Sequence, residues 1–427
     1  MLDRKLVVEN AEAVKTNCAS RGMTLDVDRF VLLESQRKTK QAEVEELRRQ
    51  ANQVSKSIGK AKDEAQREQR KAEGRRLREA TTAGEAELQQ IVAEADEILR
   101  SIPNMTHPDA PVGGDEQANR LIKEGKAPKP QFDFESLDHL ELGEKLGLLD
   151  FEGGAKVAGH GFYFLTGDAV LIELALQRYA LELLIAEGFR PMITPDLARN
   201  SILEGIGFIP RGPETQIYSI ENTDLSLVAT AEITLGGLLS DEIIDAGRLP
   251  IKICGISHCY RTEAGAHGRA TRGLYRVHQF TKIEMFAFTL PGESDAMLDY
   301  LCELECRLFD GLGIHYRVVD TATGDLGGPA YRKFDLEAWM PGRGEGGQYG
   351  EVTSTSNCTD YQARRLGIRY RTKGEKGTQF LHTLNGTAVA ISRALLAILE
   401  NYQQSDGSVI VPEVLRAWVG KERLGPR

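Results

Sequence analysis

The sequence has 427 residues, of which 41% are hydrophobic and 27% are charged, proportions typical of a folded globular protein whose length favours two domains. The formal net charge of −10 excludes a uniformly basic nucleic-acid coat, so any nucleic acid must bind to a local basic surface. No apolar run is long enough for a signal peptide or a membrane span, which predicts a cytoplasmic protein with no membrane partner. The six cysteines form no CxxC pair and are expected to be buried thiols.

Residues 27–102 are predicted to form an antiparallel helical hairpin. The segment is rich in Glu, Gln, Lys, Arg and Ala, and apolar residues recur in both of its halves with a 3.5-residue period. That period is typical of two helices that pack along a supercoiled seam. We place the reversal in the polar stretch 62–69, midway between the two seams. Two interpretations remain open, a dimerisation coiled coil with solvated charges or a basic arm that grips RNA.

A Pro- and Gly-rich stretch follows the hairpin and is predicted to be an irregular linker over residues 103–130. We therefore expect an N-terminal domain at 1–102 and a C-terminal domain at 131–427. In the second domain a long apolar helix begins at Asp168 and ends at Gly188. Because this helix is apolar on several faces, either a packed core or a dimer partner must cover it.

The stretch 251–288 is predicted to contain two apolar, alternating strands that are separated by a loop rich in Gly, Arg and Thr. Its charged and polar groups are Arg261 and Glu263 at the end of the first strand and Arg276, His278, Lys282 and Glu284 along the second. Charges that face a core are costly unless they are paired, so this pattern favours a binding floor with arginine forks for phosphate. A hairpin with one solvated face is the simpler alternative.

Three further positions combine a charge with an apolar context. Glu232 follows an apolar run, where an acid is often a charge at a helix N-terminus. Glu351 lies in an alternating segment that predicts a strand with one polar face, which could be an exposed sheet edge. Arg393 lies inside an apolar helix that follows a predicted Asn385–Gly386 turn, and it could reach water along its aliphatic stem.

The runs 260–265, 271–273 and 276–280 together resemble motif 2 of class II aminoacyl-tRNA synthetases, in the form found in seryl-tRNA synthetases. The helix from Asp168 resembles motif 1, the triplet 230–232 resembles the serine-binding loop, and the segment 380–403 resembles motif 3. With its N-terminal arm, the chain is identified as a member of the seryl-tRNA synthetase family, bacterial type. The resemblance implies an α+β fold, in which helices flank the antiparallel class II sheet and an antiparallel two-helix coiled-coil arm precedes it.

The resemblance also implies an activity and partners. Members of this family activate L-serine with ATP and Mg²⁺ to seryl-adenylate, transfer it to serine tRNA and to selenocysteine tRNA, and release AMP and pyrophosphate. Motif 1 implies a homodimer, and residues 1–102 are expected to bind tRNA. Two alternatives are a synthetase paralogue, either an inhibitor-tolerant duplicate or a serine-activating enzyme with another acceptor, and a non-catalytic RNA-binding coiled-coil protein. Serine-dependent pyrophosphate exchange separates an enzyme from the last of these.

Residue roles carry over from the family motifs position by position. The catalytic residues are Arg261, at the α-phosphate, and Arg393, at the γ-phosphate. The serine-binding residues are Thr230, Ala231, Glu232, Arg261, Glu284 and Thr387. The ATP-binding residues are Arg261, Thr262, Glu263, Val277, Phe280, Glu351, Val352, Thr353, Ser354 and Arg393, of which Glu351 and Ser354 also hold Mg²⁺. The motif 2 loop departs from the family at Ala270, where relatives commonly have Asp near ATP and the tRNA acceptor end.

Overall fold

The computed structural model describes residues 1–208, 216–264 and 273–425. The chain divides into two compact units, Met1–Met105 and Thr106–Arg427. No helix within the described ranges is both long and apolar enough to cross a membrane.

Four helices make up the first unit: α1 (Arg4–Glu9), α2 (Ala11–Ser20), α3 (Val27–Ile58) and α4 (Glu64–Ser101). The last two form the predicted two-helix arm, and α4 is about 57 Å long at about 1.5 Å per residue. Val44 and Leu77 are buried in the seam between them. Ion pairs link the helices along its edges, Lys40 with Glu87 and Arg48 with Glu85.

The reversal of the arm lies slightly earlier than predicted. Helix α3 ends at Ile58 and α4 begins at Glu64, so the turn occupies Gly59–Asp63 rather than 62–69. The Asp63 carboxylate accepts a hydrogen bond from the Gln66 backbone N–H at 2.7 Å and thereby caps α4. The polar residues that follow therefore continue the helix, because polarity alone does not end a helix that has a good N-cap.

The second unit contains the remaining elements. Its helices are α5 (His139–Lys145), α6 (Phe151–Ala158), α7 (Asp168–Ala186), α8 (Asn200–Ile206), α9 (Ala231–Gly237), α10 (Ser294–Leu312), α11 (Tyr361–Leu366), α12 (Ile391–Asn401) and α13 (Arg416–Val419). Its strands are β1 (Arg120–Glu124), β2 (Leu149–Asp150), β3 (Phe164–Leu165), β4 (Arg190–Ile193), β5 (Leu197–Arg199), β6 (Leu225–Leu227), β7 (Ile243–Asp245), β8 (Ile251–Tyr260), β9 (Gln279–Thr289), β10 (Tyr316–Asp320), β11 (Arg332–Met340), β12 (Gln348–Asn357), β13 (Arg369–Arg371), β14 (Gln379–Phe380), β15 (His382–Ala390), β16 (Val409–Ile410) and β17 (Arg423–Leu424).

An eight-stranded sheet in the order β1-β10-β11-β12-β15-β9-β8-β4 organises this unit. Its neighbouring strands are antiparallel except for β4 and β8, which are parallel. The core joins α7, α10 and α12 to the buried side chains of the central strands. A second apolar cluster lies around α8, α9 and α11. The antiparallel sheet flanked by helices that the sequence implied is thus confirmed.

The segment predicted as an irregular linker contains regular structure. Strand β1 lies within 103–130 and pairs with β10 at the edge of the large sheet. The Arg120 guanidinium donates to the fully buried carboxylate of Asp320 at 2.7 Å. This five-residue strand was not predicted because Pro and Gly residues flank it and because its side chains, which are all exposed, show no alternation of apolar and polar residues.

The predicted Asn385–Gly386 turn is wrong. Both residues lie in the middle of β15, which runs without interruption from His382 to Ala390. Thr387, the first residue after the expected turn, therefore lies in the strand opposite Glu284 of β9, and the following helix begins only at Ile391. An Asn-Gly pair is a strong turn signal, but here the pairing of β15 with β9 and β12 overrides the local preference.

Gly386 is required by the close approach of its neighbours rather than by a turn. A Cβ atom at this position would lie 2.8 Å from Thr355 Oγ1 and 3.1 Å from Oε1 of Glu305, a fully buried side chain on α10. The absence of a side chain lets α10 pack directly beneath β15.

We expect Gly386→Ala to lower the free energy of unfolding of the second unit by about 1–3 kcal/mol, because the added methyl group overpacks the sheet against α10. Both tryptophans, Trp339 and Trp418, lie in this unit, so urea unfolding followed by tryptophan fluorescence reports on it. Gly292→Ala is the matched control, since a Cβ there meets nothing within 4 Å. Equal unfolding midpoints for the two variants would contradict the prediction.

Candidate functional site

Two cavities that share part of their walls lie along the central strands of the large sheet, with volumes of about 510 and 330 Å³. The larger cavity is lined by these predicted site residues: Arg261, Glu263, Val277, Phe280, Glu351, Val352, Thr353, Ser354, Thr387 and Arg393. The smaller cavity is lined by Thr230, Glu232, Arg261, Glu284, Ser354 and Thr387. Arg261, Ser354 and Thr387 belong to both walls, together with two lysines, Lys282 and Lys333.

Glu232 is held at the start of α9 in the smaller cavity. Thr230 is the N-cap of that helix, and its hydroxyl accepts from the Glu232 backbone N–H at 3.3 Å. The side-chain amides of Gln362 and Asn385 each donate to Glu232 Oε1 at 2.7 Å. Burial, and then the nearby charge of Glu284, raise the pKa of Glu232 to about 7. A cationic ligand in this cavity would therefore favour the ionised carboxylate.

Lys282, Glu284 and Thr387 form a closed group on β9 and β15. Lys282 is ion-paired with Glu284 and donates to Thr387 Oγ1 at 3.2 Å, while the Thr387 hydroxyl donates to Glu284 Oε2 at 3.3 Å. All three residues are buried. Their register explains the contact, since Thr387 lies directly opposite Glu284 in the antiparallel ladder. A small hydroxyl group thus stands between two fixed and opposite charges.

The backbone around Arg261 fixes this residue at the end of β8. The Arg261 N–H donates to the His278 carbonyl at 3.0 Å, and its Nε donates to the Ala229 carbonyl at 3.3 Å. The guanidinium carbon lies 5.3 Å from the centre of the Phe280 ring. The Arg261 guanidinium therefore lies within cation–π distance of an aromatic ring, while its Nε is held by a backbone carbonyl.

Glu263 lies beyond Arg261 and is anchored by an ion pair. The Arg276 guanidinium donates to Glu263 Oε2 at 2.7 Å, although the two residues are thirteen positions apart. Glu263 has a φ of 51°, which lies in the left-handed region that is unusual for a residue other than glycine. The ion pair thus closes the base of the predicted motif 2 loop. Ala270, in that loop, lies outside the described residues.

Arg393 projects from the first turn of α12 into the larger cavity. Its Nη1 donates to the Glu351 carbonyl at 2.9 Å and lies 3.5 Å from the Glu351 carboxylate, and its Nε donates to the Tyr275 carbonyl at 3.3 Å. The guanidinium also stacks over the Tyr275 ring at 4.7 Å. The arginine in this apolar helix therefore faces a cavity and does not extend to open solvent.

The surroundings of the Glu351 carboxylate favour its ionised form. Burial opposes its ionisation, but Arg393 and then Lys333 hold the pKa of Glu351 below its ordinary value. Ser354 follows on the same strand and lines both cavities. An ionised carboxylate and a hydroxyl are hard oxygen donors of the kind that Mg²⁺ prefers. Within the described ranges no group of three or more His, Cys, Asp or Glu side chains could hold a metal ion.

Three predicted residues are placed differently from the rest. Ala231 and Thr262 line neither cavity, and Ala231 is fully buried in α9. Thr353 lines the larger cavity, but its hydroxyl donates to Glu305 of α10 at 3.1 Å on the opposite side of the sheet.

Sequence reasoning missed Lys333, Gln362 and Asn385 as site residues, and it gave Lys282 no role beyond the charged pattern of the hairpin. Lys333, which is ion-paired with Asp335 at 2.9 Å, lines both cavities, as does Lys282. Each lysine precedes its carboxylate by two positions on one strand, and this Lys-x-acid spacing in an apolar strand was a signal that could have identified both. Gln362 and Asn385 carried no comparable signal, because their partner Glu232 is more than 120 positions away.

Comparisons with known proteins agree with this geometry. Residues 1–106 match the seryl-tRNA synthetase N-terminal domain, and residues 216–402 match the tRNA synthetase class II core domain (G, H, P, S and T).

Individual relatives match along the whole chain. The serine–tRNA ligase of Rhodopirellula baltica is 61% identical, with 99% of each chain covered, and that of Rubrobacter xylanophilus is 57% identical, with 100% of this chain and 99% of the relative covered. The crystal structure of seryl-tRNA synthetase from Pyrococcus horikoshii complexed with ATP superposes with a TM-score of 0.90 at 38% identity and covers 100% of both chains. The chain therefore belongs to the seryl-tRNA synthetase family of class II aminoacyl-tRNA synthetases.

Proposed function

We propose that the protein is a serine–tRNA ligase that couples L-serine to serine tRNA at the expense of ATP. A single observation carries this proposal. A cavity lined by acids and hydroxyl groups adjoins a cavity lined by arginines, and the cationic side chains of Arg261, Lys282 and Lys333 line both. The first suits a small zwitterion with a hydroxyl group, and the second suits a nucleoside triphosphate. The similarity to serine–tRNA ligases and the ATP complex of the Pyrococcus horikoshii enzyme support the same activity.

The smaller cavity would bind serine. Glu232 and Glu284 would face the substrate ammonium group, and the Thr387 and Thr230 hydroxyls would bond the serine hydroxyl. Ala231, which lines neither cavity, would act by setting the start of α9 between its two neighbours. Alanine would be rejected because it leaves these buried polar groups without a partner, and unsatisfied groups are costly.

The larger cavity would bind ATP. Arg261 would contact the α-phosphate and the serine carboxylate, Phe280 would stack on adenine, and Arg393 would contact the γ-phosphate. The remaining wall would be Thr262, Glu263, Val277, Glu351, Val352, Thr353 and Ser354. Glu351 and Ser354 would also hold Mg²⁺, which neutralises phosphate charge when it is bound.

The chemistry follows from these positions. A serine carboxylate oxygen attacks the α-phosphorus, the bond to the bridging oxygen breaks, and pyrophosphate leaves. Since two anions approach each other, the arginines must neutralise the charge that accumulates, and positioning supplies most of the remaining acceleration. A ribose hydroxyl at the tRNA 3′ end then attacks the acyl carbon of the adenylate, and AMP leaves.

The N-terminal domain, residues 1–102, would bind tRNA through its coiled-coil arm (27–102), which residues 103–130 join to a catalytic domain at 131–427. The arm carries many exposed basic residues, such as Arg48, Arg49 and Arg76, although acids pair with several of them. The substrates would be serine tRNA and selenocysteine tRNA, in the cytoplasm, where tRNA and ATP are found together.

The function is tested by ATP–pyrophosphate exchange with serine, threonine, alanine and cysteine, followed by aminoacylation of serine tRNA and selenocysteine tRNA. We expect exchange with serine alone and charging of both tRNAs, because only serine satisfies the hydroxyl-lined cavity. A variant that lacks residues 1–105 is the control: it should retain exchange, since both cavities lie in the second unit, and lose charging. Absence of serine-dependent exchange in the full chain would refute the proposal.

Serine binding should depend on pH through Glu232, whose pKa is raised to about 7. As pH falls from 8 to 6 the carboxylate becomes protonated and loses its attraction for the substrate ammonium, so the KM for serine should rise about tenfold. Glu232→Gln should have a higher KM that varies little over this range. The exposed residue Glu221 offers a control, because Glu221→Gln should keep the wild-type profile. A flat wild-type profile in the exchange assay would contradict this role.

We also propose that the protein is a homodimer. Helix α7 exposes several large apolar side chains: Val170, Leu171, Leu174 and Ile185. A second copy that covers this face would bury them. Leu174→Glu should therefore lower the mass measured by light scattering towards that of one chain, whereas Val112→Glu, at another exposed apolar position, should not. A wild-type protein with the mass of a single chain would exclude the dimer.

A further inference from the structure

Strand β9 presents three side chains in sequence to the two cavities. Phe280 lines only the larger cavity, Lys282 lines both, and Glu284 lines only the smaller one. Alternate residues of a strand share one face and lie about 6.6 Å apart, so the strand passes from one cavity to the other at Lys282. In the proposed function the amino acid carboxylate meets the α-phosphate at this same boundary, and the present inference rests on that function.

The Lys282 ammonium is oriented by its surroundings rather than free to rotate. It is ion-paired with Glu284 and donates to Thr387, and the side chain is only 8% exposed. These contacts use two of the three N–H donors of an ammonium group. The third donor remains for a ligand at the boundary, where a buried ammonium group interacts with an anion more strongly than it would in water.

We propose that Lys282 is a further substrate-binding residue, whose ammonium contacts the carboxylate of the amino acid at the point where that carboxylate meets the α-phosphate. Arg261 lines the same boundary from the end of β8, so the carboxylate lies between two cations from neighbouring strands. When the substrate ammonium reaches Glu284, the Glu284 carboxylate is shared between that ammonium and Lys282. The Lys282 charge then becomes available to the substrate carboxylate. Both ends of the zwitterion are then bound by one ion pair.

The competing explanation is that Lys282 only neutralises buried Glu284 and never touches substrate. A comparison of serine with serinamide separates the two explanations, because serinamide keeps the hydroxyl and ammonium groups but carries a neutral amide in place of the carboxylate. We expect Lys282→Met to lower kcat/KM for serine in the exchange assay by about 100-fold, and to leave the inhibition constant of serinamide nearly unchanged. Lys282→Arg, which keeps the charge, should restore part of the preference for serine.

Because kcat depends on the amount of folded enzyme, kcat/KM is calculated per active site, and the number of active sites is taken from the stoichiometry of serinamide binding in titration calorimetry. The inhibition constant of serinamide does not depend on enzyme concentration, so partial unfolding of a variant does not alter the comparison. If exchange by Lys282→Met is too slow to follow, calorimetry gives the dissociation constants of serine and serinamide, which can be compared directly. Lys252→Met is the matched control, since this half-buried lysine on β8 donates to the Glu187 carbonyl at 2.6 Å and lines neither cavity. It should keep the wild-type ratio.

Equal weakening of serine and serinamide by Lys282→Met would assign the lysine to a structural role and overturn the inference, as would no weakening of either. Wild-type protein that shows no serine-dependent exchange would instead refute the proposed function. The two failures are therefore distinguishable in one set of assays.

Discussion

Ionised side chains on a buried sheet are tolerated only when opposite charges or hydrogen bonds compensate them, and the arrangement of the central strands depends on this constraint. Lys282 is paired with Glu284, Lys333 with Asp335 and Arg393 with Glu351. Each pair sets one positive group against one negative group, so part of the cost of burying these charges is offset before substrate binds. Each pair also offers both signs of charge, so a substrate that carries both can bind without leaving an ion uncompensated.

The geometry of two of these pairs, Lys282–Glu284 and Lys333–Asp335, is set by the sheet and not by loops. Antiparallel register puts Thr387 opposite Glu284, and strand alternation puts the lysines on the same face as their acids. Helix α10 supports the opposite face of the sheet, where the hydroxyl of Thr353 donates to Glu305. Side chains that project from paired strands are held more precisely than those on loops, which suits a reaction that depends on position more than on covalent participation of the protein.

The sequence predicts those features that depend on short-range periodicity. The 3.5-residue period of the arm and the alternation of β8 and β9 give the helices and strands, and charges in apolar segments identify Arg261, Glu284 and Arg393. Family membership, the class II fold and the two-helix arm are confirmed. Features that depend on pairing between distant segments were not predictable. The amides of Gln362 and Asn385 contact Glu232 only after folding. Pairing between distant strands likewise places the Asn385–Gly386 sequence, a local turn signal, in the middle of β15.

That strand has a consequence for the chemical ageing of the protein. In an Asn-Gly sequence the backbone nitrogen of the glycine readily attacks the preceding side-chain amide and releases ammonia, but only if the chain can bend to bring the two atoms together. In β15 the backbone of Asn385 and Gly386 is extended, which keeps the glycine nitrogen away from the asparagine side chain. The side-chain amide of Asn385 is also fixed, because it donates a hydrogen bond to Glu232. Deamidation is thus suppressed only while β15 is folded. An episode of unfolding that converts Asn385 to an acid would set a second carboxylate against Glu232, and refolding alone would not restore the original site.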